Sequence, residues 1–295
     1  MSLTAVQRAA LAHVRDQDHL IRIATRETLT VVARMRVQVL RAFRNGAGEK
    51  TLLAMIRAIQ PQVVPLVSDA MQASHMAGIV RTVGTVSPKI EPVSMATTTE
   101  LDPVLDLLKR RAGMSPSEIK AVEDQFGAQA ITATGDAFSV LENKIQSAVR
   151  DIVTEGLHGD AGLGRMMKAF TDAGVTTDNP SLIKTVFNTE VSKAYNGGRW
   201  AAAQDPAIQN VLWGYEYVTV GDDRVRPNHA AMDGMRLPKD DPRWSELWPP
   251  NGYNCRCSTI EVFTTDKSLA RTKNPDRGAV ADDGFAFNYG EVVAG

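Results

Sequence analysis

The sequence predicts an α+β fold: a mainly helical N-terminal region followed by a small α+β domain with a short antiparallel sheet. Three observations carry this. Residues from about Thr4 to Phe43 contain neither proline nor glycine, and their apolar positions recur every three or four residues. Ser115-Pro116-Ser117-Glu118 is a capping box with proline at the first helical position, so a helix starts there. Val211 to Val220 is a β-branched and aromatic run that ends at the turn residues Gly221-Asp222-Asp223, which is the pattern of a strand.

Taken in order, the first run predicts one long helix or two in line, with Val6, Ala10, Val14, Leu20, Ala24, Val31, Met35, Val39 and Phe43 on its apolar positions. Arg8, Arg15 and Arg22 step by seven and share another face. Asn45-Gly46-Ala47-Gly48 breaks the run. A second helix is expected from Lys50 to about Gln60, stopped or kinked at Pro61, and a third from Val63 to Val83. Gly84 to Thr99 has two prolines and no helical period, and reads as a linker. Leu101 to Ala112 is a short helix. From the capping box the chain continues helical to Leu157, in more than one piece because Gly135 interrupts it. The glycine-rich Gly156 to Gly164 lacks the Lys-Ser/Thr and the preceding strand of a phosphate loop, so it reads as a hinge or turn. Asn179-Pro180 caps a helix from Ser181 to about Ala203, ended by Asp205-Pro206. On it, Glu190 and Arg199 stand too far apart to pair, so each needs another partner. The expected divisions are 1–99, a helical region with the long basic helix; 100–178, a middle helical region; 179–263, the small α+β domain; and 264–295, an extended tail. In the tail Phe285, Phe287 and Tyr289 alternate, as in a short strand, a segment docking on a sheet edge, or a disordered end.

Composition bounds the function. Hydrophobic residues make up 43% of the 295 and charged residues 23%, enough for a sizeable core. The net charge of −1 excludes a polyanion binder over the whole chain, but the first sixty residues are rich in arginine and the end carries Asp282, Asp283 and Glu291. The arginine face predicts either a solvated helix surface or a surface for DNA or an acidic partner. Two cysteines exclude a disulfide scaffold. No signal peptide is expected, nor an apolar run near the ~20 residues of a bilayer span. The expected setting is therefore a cytosol.

Chemistry concentrates between Val211 and Cys257. Asp223, Arg224, Arg226, His229 and Asp233-Gly234 follow the strand, and a long loop holds Trp244, Trp248 and Pro249-Pro250. Both cysteines, Cys255 and Cys257, close the stretch around Arg256. Three readings stand open. His229, Cys255 and Cys257 are the donor types zinc prefers, with a fourth ligand to be sought among Asp223, Asp233 and water. Alternatively the stretch is a metal-free staple, with Arg226 or Arg256 paired to Asp223 or Asp233, His229 donating to a backbone carbonyl, and the cysteines packed as small apolar residues. The third reading is an enzyme with His229 as base and Cys255 as nucleophile. No nucleophile elbow, HExxH, Walker loop or recognisable carboxylate pair accompanies it.

The order Asp223-x-x-Arg226-x-x-His229, Asp233-Gly234, Pro249-Pro250 and Cys255-Arg256-Cys257 resembles the phage Mu F-like head morphogenesis family, the minor capsid proteins of tailed phages. Upstream, Asn188-Thr189-Glu190 and Asn196-Gly197-Gly198-Arg199 resemble that family's helix, and downstream Asp283-Gly284-Phe285 and Asn288-Tyr289-Gly290 resemble its ending. The resemblance implies that the helix packs on the domain carrying the cysteines. It also implies a non-enzymatic, low-copy structural adaptor that works with portal protein and with major capsid or scaffold protein. The alternative expectation, resting on the arginines of the first sixty residues, is an internal head protein whose basic helix meets packaged double-stranded DNA. Its setting is the virion head, after assembly in the host cytoplasm. Relatives with Cys-x-x-Cys where this chain has Arg226-Pro227-Asn228-His229, and histidine where it has Gly252, look like four-ligand zinc sites; this sequence departs at both places.

Overall fold

The computed structural model describes residues 5–86 and 101–294. The described helices and strands run in the order α1 (Ala5–Arg44), α2 (Glu49–Arg57), α3 (Gln60–Val86), α4 (Leu101–Arg111), α5 (Pro116–Thr154), α6 (Gly159–Asp172), α7 (Ser181–Ala203), α8 (Pro206–Gln209), β1 (Leu212–Val218), α9 (Pro227–Ala230), β2 (Arg236–Pro238), α10 (Trp244–Leu247), β3 (Ser258–Phe263) and α11 (Tyr289–Ala294). The fold is α+β, as expected. The expected linker lies outside the described residues from position 87 to 99.

The first run is one unbroken helix, α1. Pro61 starts α3 instead of stopping α2, because proline in a first turn gives up an N–H that has no helical partner. The capping box forms as written: Ser115 N–H donates to Glu118 Oε2 (2.7 Å) and Glu118 N–H to Ser115 Oγ (3.3 Å). The helix it opens, α5, runs through Gly135 in one piece, against the expectation of several. Its stripe Val122, Phe126, Ala130, Thr134, Phe138, Leu141, Ile145, Ala148 and Ile152 is buried throughout. That packing outweighs the cost of about 1 kcal/mol for a glycine inside a helix. The stretch Glu49–Thr85 meets the length and composition of a membrane span, which the sequence reading did not expect. A third of its apolar window is buried in the protein, with Leu52, Leu53, Ile56, Val63 and Val67 among the buried residues.

The described residues fall into two compact units, one within Arg22–Asp69 and Ala121–Phe187, the other within Met1–Ile21, Ala70–Lys120 and Asn188–Gly295. The former is all helical. Val32, Val63, Val67, Phe138, Leu141, Val175, Ile183 and Phe187 line a small apolar cavity in it of about 30 Å³, and Thr28 and Thr134 border the same space. Arg57 forks Glu142 on its surface, with Nη2 to Oε2 at 2.7 Å.

The other unit carries the sheet. β1 is its centre, paired antiparallel with β2 on one side and β3 on the other. β1 is buried along nearly its whole length, so Tyr215 and Tyr217 sit on one covered face and Glu216 on the opposite one, where Arg236 Nε meets it at 3.0 Å. Helix α7 crosses α3 closely. A Cβ on Gly198 would stand 1.9 Å from the His75 carbonyl oxygen, and one on Gly78 would stand 2.2 Å from that of Tyr195. Only glycine at both places permits this approach. The tail forms no strand through Phe285 and Phe287. It docks instead through a bridge between Lys273 and Arg236 of β2 and through contacts around Asp282, and its end turns into α11.

Candidate functional site

The site is built on the end of β1 and the loops that return to it. Asp233 holds the first loop closed by accepting from Thr219 N–H (2.7 Å) and Thr219 Oγ1 (2.9 Å). Gly234 follows in the left-handed region at φ +71°, and its N–H donates to Tyr217 O. Inside this loop the short α9, with Pro227 at its start, lifts His229 under the sheet. The second loop brings Trp244 and Trp248 against Tyr215, with ring centroids at 5.6 and 4.9 Å, nearly edge-on. Their indole N–H groups donate to Pro238 O and Asn196 O. This aromatic block covers Tyr215 of β1. Cys255 and Cys257 then enter just before β3.

His229 Nδ1 stands 3.7 Å from Cys255 Sγ and 3.8 Å from Cys257 Sγ, and the three donor atoms all lie within 4.8 Å of one another. His229 is 2% exposed and each cysteine 3%. On the far side of the ring, Nε2 faces Asn251 O at 3.1 Å. A carbonyl can only accept, so Nε2 carries the proton and Nδ1 offers its lone pair to the sulfurs. The hydrogen bond from Cys257, and then His229, holds the Cys255 thiol well below its usual range despite burial. Cys257 is pushed well above it by the bond to Cys255 and by burial. Burial opposes charge on His229, but the bond to Cys255 and the attraction of its sulfur outweigh this, and the pKa is raised.

These donors fit zinc. With Zn–S near 2.3 Å and Zn–N near 2.1 Å, two ligands of a tetrahedral ion stand roughly 3.5 to 3.8 Å apart, and the two distances from His229 Nδ1 to sulfur, 3.7 and 3.8 Å, fall there. Among the described residues neither Asp223 nor Asp233 is grouped with the three donors. Asp233 is engaged by Thr219, and Asp223 is exposed and away from the cluster.

The ion pairs differ from those expected. Arg256 forks Asp222, not Asp223 or Asp233, with nitrogen to oxygen distances of 2.8 and 2.7 Å. That fork holds the Asp222 carboxyl well below the usual carboxylate range. Arg226 donates to Tyr253 O at 2.6 Å and pairs with Asp282 of the tail at 3.3 Å. Glu190 and Arg199 have separate partners, as their spacing required: Glu190 pairs with Lys193 at 3.0 Å, and Arg199 with Glu261. Arg199 Nη1 also donates to Ser258 Oγ and Thr259 Oγ1, both at 3.0 Å, and His13 Nδ1 stands 3.0 Å from the same Ser258 hydroxyl. Helix α7 touches the cysteine loop directly, since Asn254 N–H donates to Thr189 Oγ1 and Asn188 Nδ2 to Asn254 Oδ1. Arg15 and Arg22 are exposed on α1. Arg8 lies on the same helix, with its side chain outside the described residues.

Residues 143–260 match the family model described as Phage Mu protein F like protein. That stretch of the chain is similar to the Mu F family. Among curated proteins it is similar to the putative capsid assembly protein F of Escherichia phage Mu, 34% identical over 118 residues, covering 40% of this chain and 25% of that protein. It is also similar to the Mu-like prophage FluMu F protein of Haemophilus influenzae, 34% identical over 97 residues, covering 32% and 23%. An uncharacterized protein of Methanocaldococcus jannaschii is 31% identical over 128 residues, covering 43% and 19%. The chain thus spans about a quarter or less of the length of these relatives. No solved structure matches. The Mu F-like stretch contains Glu190, Arg199, His229 and both cysteines. It stops at residue 260, before Asp283-Gly284-Phe285 and Asn288-Tyr289-Gly290, whose resemblance to the family's ending lies outside the match.

Asn251, Asp282, His13 and Glu261 were missed as site residues. Glu261 left a signal, an acid within the otherwise apolar and β-branched run of β3. The others left none beyond residue type.

Proposed function

We propose that the protein serves phage head morphogenesis as a structural component, with its Mu F-like stretch acting as an adaptor toward the portal and toward major capsid or scaffold protein. The observation that carries this reading is the match over residues 143–260 with relatives named for capsid assembly. The site is consistent with an architectural role. His229 and both cysteines are buried, which supports a structural role for Cys255 over a nucleophilic one. The expected setting is the virion head, after assembly in the host cytoplasm. The test is to tag the chain in an assembling lysate and fractionate. Co-sedimentation with procapsids and capture of portal protein support the reading; recovery solely as a free protein, with head assembly unchanged by its deletion, overturns it.

Within this role the His229–Cys255–Cys257 cluster is a staple able to hold zinc. A bound zinc ion would supply cross-linking of the two loops without redox chemistry. Asn251 O keeps the Nδ1 lone pair of His229 turned to the sulfurs. Elemental analysis of the purified chain, and its loss of zinc on replacing Cys255 and Cys257 by serine, tests it.

A second reading concerns α1, where Arg15 and Arg22 are exposed along one face. On this reading the face meets packaged double-stranded DNA. Binding would then weaken steeply with salt, and Arg15→Ala with Arg22→Ala would flatten the slope of log K against log salt by about 2. An unchanged slope would leave these arginines as a solvated helix surface.

A further inference from the structure

Asp282 lies beyond the Mu F-like stretch, yet it meets the site at both backbone and side chain. Its N–H donates to Asn251 O at 2.8 Å, the same carbonyl that takes the His229 Nε2 proton. Its Oδ1 accepts from Asn228 Nδ2 at 2.9 Å and stands 3.6 Å from His229 Nε2. Its Oδ2 pairs with Arg226 Nε at 3.3 Å. Asn228 Nδ2 also donates to Val280 O, so the segment is held on both sides of Asp282. Phe285 N–H then donates to Asp282 O, and the Phe285 ring packs edge-on against Tyr253, with centroids 4.9 Å apart.

The space for this carboxylate is made by the absence of a side chain at Gly252. A Cβ there would stand 2.1 Å from Asp282 Oδ2 and 3.1 Å from Arg226 Nη1. The outer nitrogen of the imidazole therefore faces one carbonyl and one carboxylate, and both are tied to the same tail segment. Such outer partners fix the orientation and basicity of a metal-binding imidazole.

We propose that Asp282 is the positioning residue of the His229–Cys255–Cys257 site, and that zinc binding there is linked to docking of residues 280–285. This rests on the metal-staple reading above. The linkage is reciprocal: whatever the docked segment adds to zinc affinity, zinc adds to docking of the segment.

The full chain is stripped with a chelator and titrated with zinc against a chromophoric competitor, alongside Asp282→Asn. Asparagine keeps the shape and can still accept from Asn228, and far-UV circular dichroism checks that the fold is retained. The expected result is zinc affinity lower by roughly 10- to 100-fold in the variant, with cobalt absorption showing thiolate ligation in both proteins. As a readout that needs no variant, hydrogen exchange at the amides of Asp282 and Phe285 in the unaltered chain should slow when zinc is added. Equal affinities together with zinc-independent exchange would overturn the linkage and leave the metal staple standing. Failure of the unaltered chain to bind zinc at all would overturn both.

Discussion

Arg199 and Glu261 form an ion pair closed off from water, with side chains 0% and 2% exposed and Nη2 at 2.5 Å from Oε1. The pair joins α7 to β3, and Thr82 Oγ1 of α3 adds a second hydrogen bond to the same carboxylate oxygen. Desolvating two charges costs several kcal/mol each, and their mutual attraction offsets this only while both are present. Arg199→Ala should therefore destabilise the protein by about 3–5 kcal/mol, because it strands the Glu261 carboxylate. The double variant Arg199→Met, Glu261→Leu should lose far less. Urea unfolding of both measures this, and a double variant as unstable as the single one would count against it.

Gly198 controls where that arginine sits. The His75 carbonyl lies where its Cβ would be, and the clash is with backbone on one side and helix on the other. Gly198→Ala should push α7 from α3 and cost at least the 1–3 kcal/mol of an overpacked core. Half-buried Gly127 on α5, with nothing near its Cβ position, is the control. Gly127→Ala should be neutral or stabilising by up to about 1 kcal/mol through helix propensity alone. Similar effects at the two positions would mean that α7 adjusts freely.

The helices were legible because their signals are local. The α1 run, the capping box of α5 and Asn179-Pro180 before α7 each mark an end or a period within a few residues. The continuity of α5 through Gly135 was not legible, since it depends on a buried stripe whose partners come from elsewhere in the chain. The site divides the same way. His229 and the cysteines were readable as donor types in one stretch. The choice of Asp222 over Asp223 for Arg256 was not, because neighbouring carboxylates are equivalent until the turn aims them. Asp282 and His13 reach the site from opposite ends of the chain, and no spacing rule links them to it.

Thr28 and Thr134 border the cavity of the helical unit, and their hydroxyls are buried without a hydrogen-bond partner. A buried hydroxyl left unpaired costs about 1–3 kcal/mol. Thr134→Val keeps the shape and removes that hydroxyl, so it should raise stability by about 1 kcal/mol. Thermal unfolding tests this; a loss of stability would mean that the hydroxyl is satisfied by water held in the cavity.

Stability should also fall with acid in a window set by buried histidines. Burial pushes His75 down to about 4, partly opposed by the Ala194 carbonyl. Burial, then Arg199 and Arg81, lowers His13 as well. Unfolded histidine takes up its proton near pH 6.5, so between that pH and about 4 the unfolded chain binds more protons than the folded one. The stability contributed by a neutral His75 is thus complete above pH 6.5 and is lost as pH falls toward 4, by about 3 kcal/mol in all. Carboxylates titrate in the lower part of this range too, so the informative quantity is the difference between two proteins. His75→Gln removes the titration while keeping a polar side chain. Its urea midpoint should fall less steeply than that of the unaltered chain between pH 6.5 and 4. Parallel curves would mean that the folded protein admits a proton at His75 as readily as the unfolded chain does.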